Sequence, residues 1–162
     1  MIKKIFALFL LFALILSFTS CKENSFTLAE LTVTLPDGYT ERERPSGVNM
    51  LLSDGEGIVT FRRISFIDAE GDGVPVGLSD DEFAKYFLEK SGISGVIASY
   101  NTTPYYTYYQ TSEGIRLVNI AAFLRTPYSY FIIVFSTAEE REQIGREEFF
   151  SVIDSIKINI LD

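Results

Sequence analysis

Residues 103–135 read TPYYTYYQTSEGIRLVNIAAFLRTPYSYFIIVF, and this stretch decides the fold. Three runs rich in Tyr, Ile, Val and Phe, residues that suit a pleated and half-buried surface, are parted by two short breaks. Ser112-Glu113-Gly114 supplies the first break and Thr126-Pro127 the second, since glycine accepts turn conformations and proline cannot donate to a ladder. The pattern predicts an antiparallel meander of three strands.

Working toward the N-terminus, Ser79-Asp80-Asp81-Glu82 has the spacing of a capping box, with acidic groups placed to complement the positive end of a helix. Phe83, Tyr86, Phe87 and Lys90 follow at helical spacing, and Gly92 is a natural stop. The acidic, glycine-rich run 68–77 reads as a loop. Before it, Val48–Leu52 and Ile58–Phe66 flank Asp54-Gly55-Glu56-Gly57 and predict a hairpin, with the mixed-sign run 41–45 as an exposed connector. Leu31, Val33 and Leu35 alternate with Thr32 and Thr34 and end at Pro36-Asp37-Gly38, which predicts one half-buried strand. On the C-terminal side, Ser136-Thr137-Ala138-Glu139 has the form of a second capping box. It would open a helix kinked near Gly145 that resumes through Phe149, Phe150, Val152, Ile153 and Ile156. Strands, helix, strands and helix joined by short connections make an α+β domain, a mostly antiparallel sheet covered by helices.

The extreme N-terminus has a different character. Lys3 and Lys4 precede an unbroken apolar run, Ile5–Leu16, and then Ser17, Phe18, Thr19, Ser20 and the single cysteine, Cys21. Twelve apolar residues would make a helix of about 18 Å, short of the ~30 Å hydrocarbon core, so the run matches a signal-peptide core better than a permanent span. The residues before Cys21 resemble a bacterial lipobox, with Phe18 where leucine is most usual. Residues 1–20 are therefore expected to be a lipoprotein signal peptide, 21–25 the lipidated cysteine and a short tether, and 26–162 a single domain. Acyl chains on Cys21 would hold that domain on the membrane at ~0.8 kcal/mol per buried methylene.

The chain has 162 residues, with 14 Lys+Arg against 22 Asp+Glu, no His and no Trp. Removing residues 1–20, with their two lysines and no acid, takes 162 residues to 142 and the net charge from -8 to -10. Such acidity disfavours nucleic acid as a partner. Without histidine, every Ser-His-Asp, Cys-His and His-metal scheme is excluded. No glycine signature for phosphate is present either.

The opening Leu31–Tyr39 run, LTVTLPDGY, the hairpin after it, the capped mid-chain helix, the meander and the closing Glu148–Ile158 run, EFFSVIDSIKI, resemble the PsbP-like family. That resemblance implies an α/β/α sandwich. Family members include photosystem accessory subunits, a Ran-binding import factor and bacterial lipoproteins, mostly adaptors or binders, so it implies no catalytic motif and no cofactor.

Several residues are candidates for function. Tyr105, Tyr106, Tyr108 and Tyr109 form a possible binding surface, since tyrosine offers large contact area with a polar tip. On a strand, however, Tyr105 and Tyr109 share one face and Tyr106 and Tyr108 the other. One pair is expected beneath a helix and the other on an exposed face or groove. Asp68, Glu70 and Asp72 alternate before Gly73 like the start of a calcium loop, but the twelfth position is Ser79 rather than a bidentate glutamate. They are weak metal candidates within an expected solvated turn. Arg62 and Arg63 point to opposite faces of their strand, and one turned inward would need a carboxylate partner. The glutamates between 139 and 148 and the 80–82 acidic run show no spacing that selects a catalytic pair.

The expectation is a membrane-anchored extracytoplasmic lipoprotein at the bacterial cell membrane, facing outside the cytoplasm. Its domain is a non-catalytic binding or accessory module for an unknown protein or small-molecule ligand. The alternative is a cell-envelope hydrolase using paired carboxylates.

Overall fold

The meander sits at the centre of the molecule. A computed structural model describes residues 24–160, and in it β7 (Thr103–Ser112), β8 (Ile115–Arg125) and β9 (Ser129–Ala138) pair antiparallel throughout. The two-residue link between β7 and β8 puts both Glu113 (φ 51°) and Gly114 (φ 81°) in the left-handed region. This is the backbone of a tight turn whose twist matches its strands, and glycine at its second position removes half of the strain.

Four more strands extend the meander to a seven-stranded antiparallel sheet of order β3-β4-β5-β9-β8-β7-β6. They are β3 (Thr40–Glu41), β4 (Met50–Ser53), β5 (Gly57–Ser65) and β6 (Ala98–Tyr100). A second sheet of three strands has β2 (Leu31–Leu35) between β1 (Asn24–Leu28) and β10 (Lys157–Ile158). The helices are α1 (Phe66–Gly71), α2 (Asp80–Lys90) and α3 (Glu142–Asp154), the last entered through a 3-10 turn at Glu139–Arg141.

Strand alternation divides the buried side chains of the large sheet into two cores. Val59 and Phe61, Ile120 and Ala122, and Phe131, Ile133 and Phe135 point to the first face. There they meet Phe149, Val152 and Ile153 of α3 and Leu31, Val33 and Leu35 of β2, all nearly free of solvent. Ile64, Ala121, Phe123, Tyr130 and Ile132 point to the second face and meet Phe83, Ala84 and Leu88 of α2. Central strands buried on both sides explain why β9 reads as a near-continuous apolar run rather than a clean alternation.

The start of α2 is the predicted capping box. Ser79 Oγ accepts from the Glu82 N–H at 3.3 Å, and Glu82 Oε2 accepts from the Ser79 N–H at 2.8 Å. The two bonds its carboxylate accepts, from the Ser79 N–H and from the Ser79 hydroxyl at 2.9 Å, hold the Glu82 carboxyl below the usual carboxylate range.

Four expectations need correction. Asn24 and Ser25, expected within a tether, pair with Leu35 and Thr34 in β1. The run from 68 onward is not all loop. Its first residues belong to α1, whose N-terminus is capped by Ser65 accepting from the Asp68 N–H at 3.1 Å. The second capping box does not form, since Ser136 and Thr137 remain in β9 and Ala138 caps the 3-10 turn without a side-chain bond. There, strand pairing of 136 and 137 with Ile58 and Gly57 outcompetes a helix start. Finally, α3 runs through Gly145 without interruption. That glycine serves close packing instead, because a Cβ there would lie 2.6 Å from Thr137 Cγ2 and 3.0 Å from Phe135 Cε1.

Candidate functional site

The two faces of the large sheet are covered unequally. On the first face, α3 and the three-stranded sheet together close the core. On the second, the eleven residues of α2 make a helix of only about 16 Å, while the eleven of β8 run to about 37 Å. Part of that face is therefore left open, and a groove of about 390 Å³ lies beside the C-terminal end of α2.

Its floor is the sheet itself. Thr60 of β5, Val134 of β9, Ala121 of β8 and Tyr106 of β7 form one row across four adjacent strands by register. Phe87 and Leu88 of α2 and Ile93 beyond it make one wall, and Ser46, Gly47 and Val48 of the connector before β4 make the other. Tyr108 lines the groove beside Tyr106, their rings 6.0 Å apart and nearly parallel. Tyr106 is held by a bond from its hydroxyl to the Ser94 carbonyl at 3.2 Å. A Cβ on Gly95 would meet the Tyr106 ring at 2.0 Å, so glycine at 95 is what lets that ring lie where it does.

The groove is chiefly apolar, with a few polar side chains in its lining. Arg62 lines it and is exposed. Thr60 and Tyr108 contribute hydroxyls, and burial pushes the Tyr108 phenol up. Among the described residues, none of these three side chains has a hydrogen-bond or ion-pair partner. A mostly apolar concavity with a few convergent polar groups is the usual form of a small-ligand site.

The four tyrosines of β7 do not make one surface. Tyr106 and Tyr108 line the groove. Tyr105, on the opposite face, packs edge-on against Phe149 and Phe150 at 5.9 and 5.5 Å and belongs to the first core. Tyr109 is exposed, and its hydroxyl donates to the Glu142 carboxylate at 3.0 Å. Arg146 Nη2 also bonds Glu142, at 2.7 Å, and that bond is the main reason the Glu142 carboxyl lies below its ordinary range. The split into two pairs followed from strand alternation, but Ile93, Phe87 and Val48 came from segments that no local pattern linked to β7.

The other candidates are placed as follows. Asp68 sits in the first turn of α1 with its carboxylate bonded to Ser65, Glu70 is on the same helix, and Asp72 caps its end. Helical geometry spreads side chains two apart around the axis, and no group of three or more metal-ligating side chains is found among the described residues. Cys21 lies outside the described residues. No helix among them is long and apolar enough to cross a membrane.

Glu148 and Asp54 act on each other's charge beside Tyr39, which is nearly fully buried. Its hydroxyl lies 3.5 Å from Glu148 Oε2. Burial pushes the Glu148 carboxyl up, Arg141 opposes this, and the negative charge of Asp54 adds to it. Asp54 is a turn residue, however, its Oδ1 accepting from the N–H groups of Glu56 and Gly57 at 2.9 and 2.7 Å.

No protein-family model and no curated protein matches the chain. Solved structures do. A crystal structure from Bacteroides thetaiotaomicron aligns over 86% of this chain at 14% identity and TM-score 0.62. The chain spans about half of that structure, 49% of its length. The solution structure of cyanobacterial PsbP from Synechocystis aligns over 87% of this chain and 95% of its own, at 14% identity and TM-score 0.50. A mutant of Mog1 aligns over 85% and 96%, at 10% identity and TM-score 0.51. Identity this low speaks to architecture alone, and the architecture is shared: an α+β fold of antiparallel sheets and a few helices, as in PsbP and Mog1.

Proposed function

We propose that this chain is a lipid-anchored extracytoplasmic lipoprotein whose PsbP-like domain is a non-catalytic binding or accessory module. The observation that carries the binding reading is the groove on the second face, an apolar concavity with unpartnered polar groups at its edge. The anchor reading is supported by the order of Lys3, Lys4, the apolar run Ile5–Leu16 and Cys21. The non-catalytic reading is supported by the absence of histidine and by the commitment of Asp54 to its turn.

The anchor is tested by replacing Cys21→Ala and labelling cells with a radioactive fatty acid. Loss of label and release from the membrane fraction are expected; unchanged label overturns the anchor. Binding is tested in the intact cell envelope by crosslinking the wild type and Val134→Phe, which fills the floor of the groove. A crosslinked species lost in the variant is expected, and a pattern that Val134→Phe leaves unaltered counts against the groove. Turnover of a cell-wall substrate that disappears in Glu148→Gln would replace the binding reading with the hydrolase.

A further inference from the structure

Four arginines lie on the strands of the large sheet at β5 and β8, and three of them are engaged. Arg63 pairs with Glu30 at 3.2 Å. Arg116 pairs with Glu139 at 3.2 Å and covers the Tyr109 ring. Arg125 lies over the Phe66 ring, and its charge acts on Asp80. Arg62 alone of the four has no partner among the described residues, although the chain carries 22 acids against 14 bases. In so acidic a domain a carboxylate partner is easily found, so a guanidinium left unpaired at the edge of an apolar groove is the notable feature of this face.

We infer that the groove is a site for a small amphipathic carboxylate, its apolar body against Phe87, Ile93, Tyr106 and Val134 and its carboxylate at Arg62. This rests on the binding reading above and names the ligand class for the same site. The two parts of the site demand it together. Apolar walls reward burial of a hydrocarbon or aromatic body at roughly 25 cal/mol per Å², and the planar fork of a guanidinium fits a carboxylate through two parallel hydrogen bonds. Thr60, two residues from Arg62 on the same face of β5, has an unpartnered hydroxyl that can donate to the same head group. A single negative charge is favoured over a phosphate dianion because the surrounding field is that of a domain whose net charge is -10 once residues 1–20 are removed. Size follows from volume: a groove of about 390 Å³ lies at the small end of the range of small-molecule sites.

The probe that matches these limits is 2-naphthoate, with 2-naphthamide as its uncharged counterpart of the same shape. Both are titrated calorimetrically into the full chain held in neutral-lipid nanodiscs, with empty nanodiscs as the reference. Naphthoate is expected to bind at least tenfold more tightly than the amide. Arg62→Gln should weaken naphthoate about tenfold and leave the amide unchanged, and Val134→Phe should abolish both. Each variant must keep a cooperative melting transition. Equal binding of acid and amide, unaffected by Arg62→Gln but lost in Val134→Phe, overturns the carboxylate and leaves the groove as a binding site. No binding of either probe to the wild type overturns the inference, while the crosslinking comparison still decides the binding reading on its own.

Discussion

The Nε of Arg63 lies 3.2 Å from Oε2 of Glu30, a carboxylate with no solvent exposure. Glu30 Oε1 accepts from the Thr126 hydroxyl at 2.6 Å, and Thr126 in turn holds the link between β8 and β9 by accepting from the N–H groups of Tyr128 and Ser129. One buried acid thus ties the β1-β2 hairpin to β5 and to the central meander.

Removing the cation from this arrangement leaves a buried charge uncompensated, which costs about 3 kcal/mol. Arg63→Ala is therefore expected to lower the urea midpoint strongly at neutral pH. Arg62→Ala, one residue away on the other face, should stay within about 0.5 kcal/mol of wild type. Equal effects of the two would refute the assignment.

The same group gives a pH dependence with a definite sign. Burial pushes the Glu30 carboxyl up, but hydrogen bonds, chiefly from the Thr126 hydroxyl and from its own backbone N–H, with a smaller contribution from the charge of Arg63, outweigh it and hold the carboxyl below its usual range. Its contribution is therefore complete above the unfolded value near ~4.3 and is lost as pH falls through the lower folded value. The stability gap between wild type and Glu30→Gln should narrow in acid, as measured by urea denaturation from pH 7 to pH 3.

Glu148 has the opposite sign. Its carboxyl is raised chiefly by burial, with Arg141 opposing and Asp54 reinforcing, beside Tyr39 and Glu56. The folded state then holds its proton more tightly than the unfolded chain, so this group's contribution falls as pH rises above the ordinary carboxylate range. Glu148→Gln keeps an acceptor for the Tyr39 hydroxyl and should raise the melting temperature at pH 7. A fall would show that the ionised carboxylate is wanted there.

Gly145 and Thr137 define the contact between α3 and β9. Alanine at 145 gains roughly 1 kcal/mol of helix propensity, but its Cβ would sit 2.6 Å from Thr137 Cγ2, an overlap costing about 1–3 kcal/mol. Gly145→Ala is expected to destabilise, and Thr137→Ser, which removes that methyl, to recover part of the loss in a double-mutant cycle.

The cap of α2 is local and should behave so. Ser79→Ala removes the acceptor for the Glu82 N–H and should cost about 1 kcal/mol. Faster amide exchange confined to the first turn of α2 would accompany it.

How much of this was legible depended on the range of the interaction. The meander was readable because Glu113-Gly114 and Pro127 act on their immediate neighbours, and the cap at Ser79 because its partner is three residues away. The second capping box, at Ser136, had the same letters and did not form, since 136 and 137 are drawn into pairing with Ile58 and Gly57 about eighty residues earlier. Likewise Gly145 looked like a helix breaker, and only the approach of Phe135 and Thr137 shows why a missing Cβ suits a continuous helix there. The opposite faces of Tyr106 and Tyr105 followed from strand geometry, whereas the walls at Ser46–Val48 and Ile93 could not be assigned to Tyr106 and Tyr108 from any local pattern.

By itself the sequence determined the alternation of the strands, the α+β character, the exclusion of histidine chemistry and the opposition of Arg62 to Arg63, because each depends on neighbours along the chain or on composition. Only the tertiary structure decided which arginine found a carboxylate, Arg63 with Glu30 thirty-three residues away. It alone left Arg62 over an open groove, because α2 is too short to cover the strands beneath it.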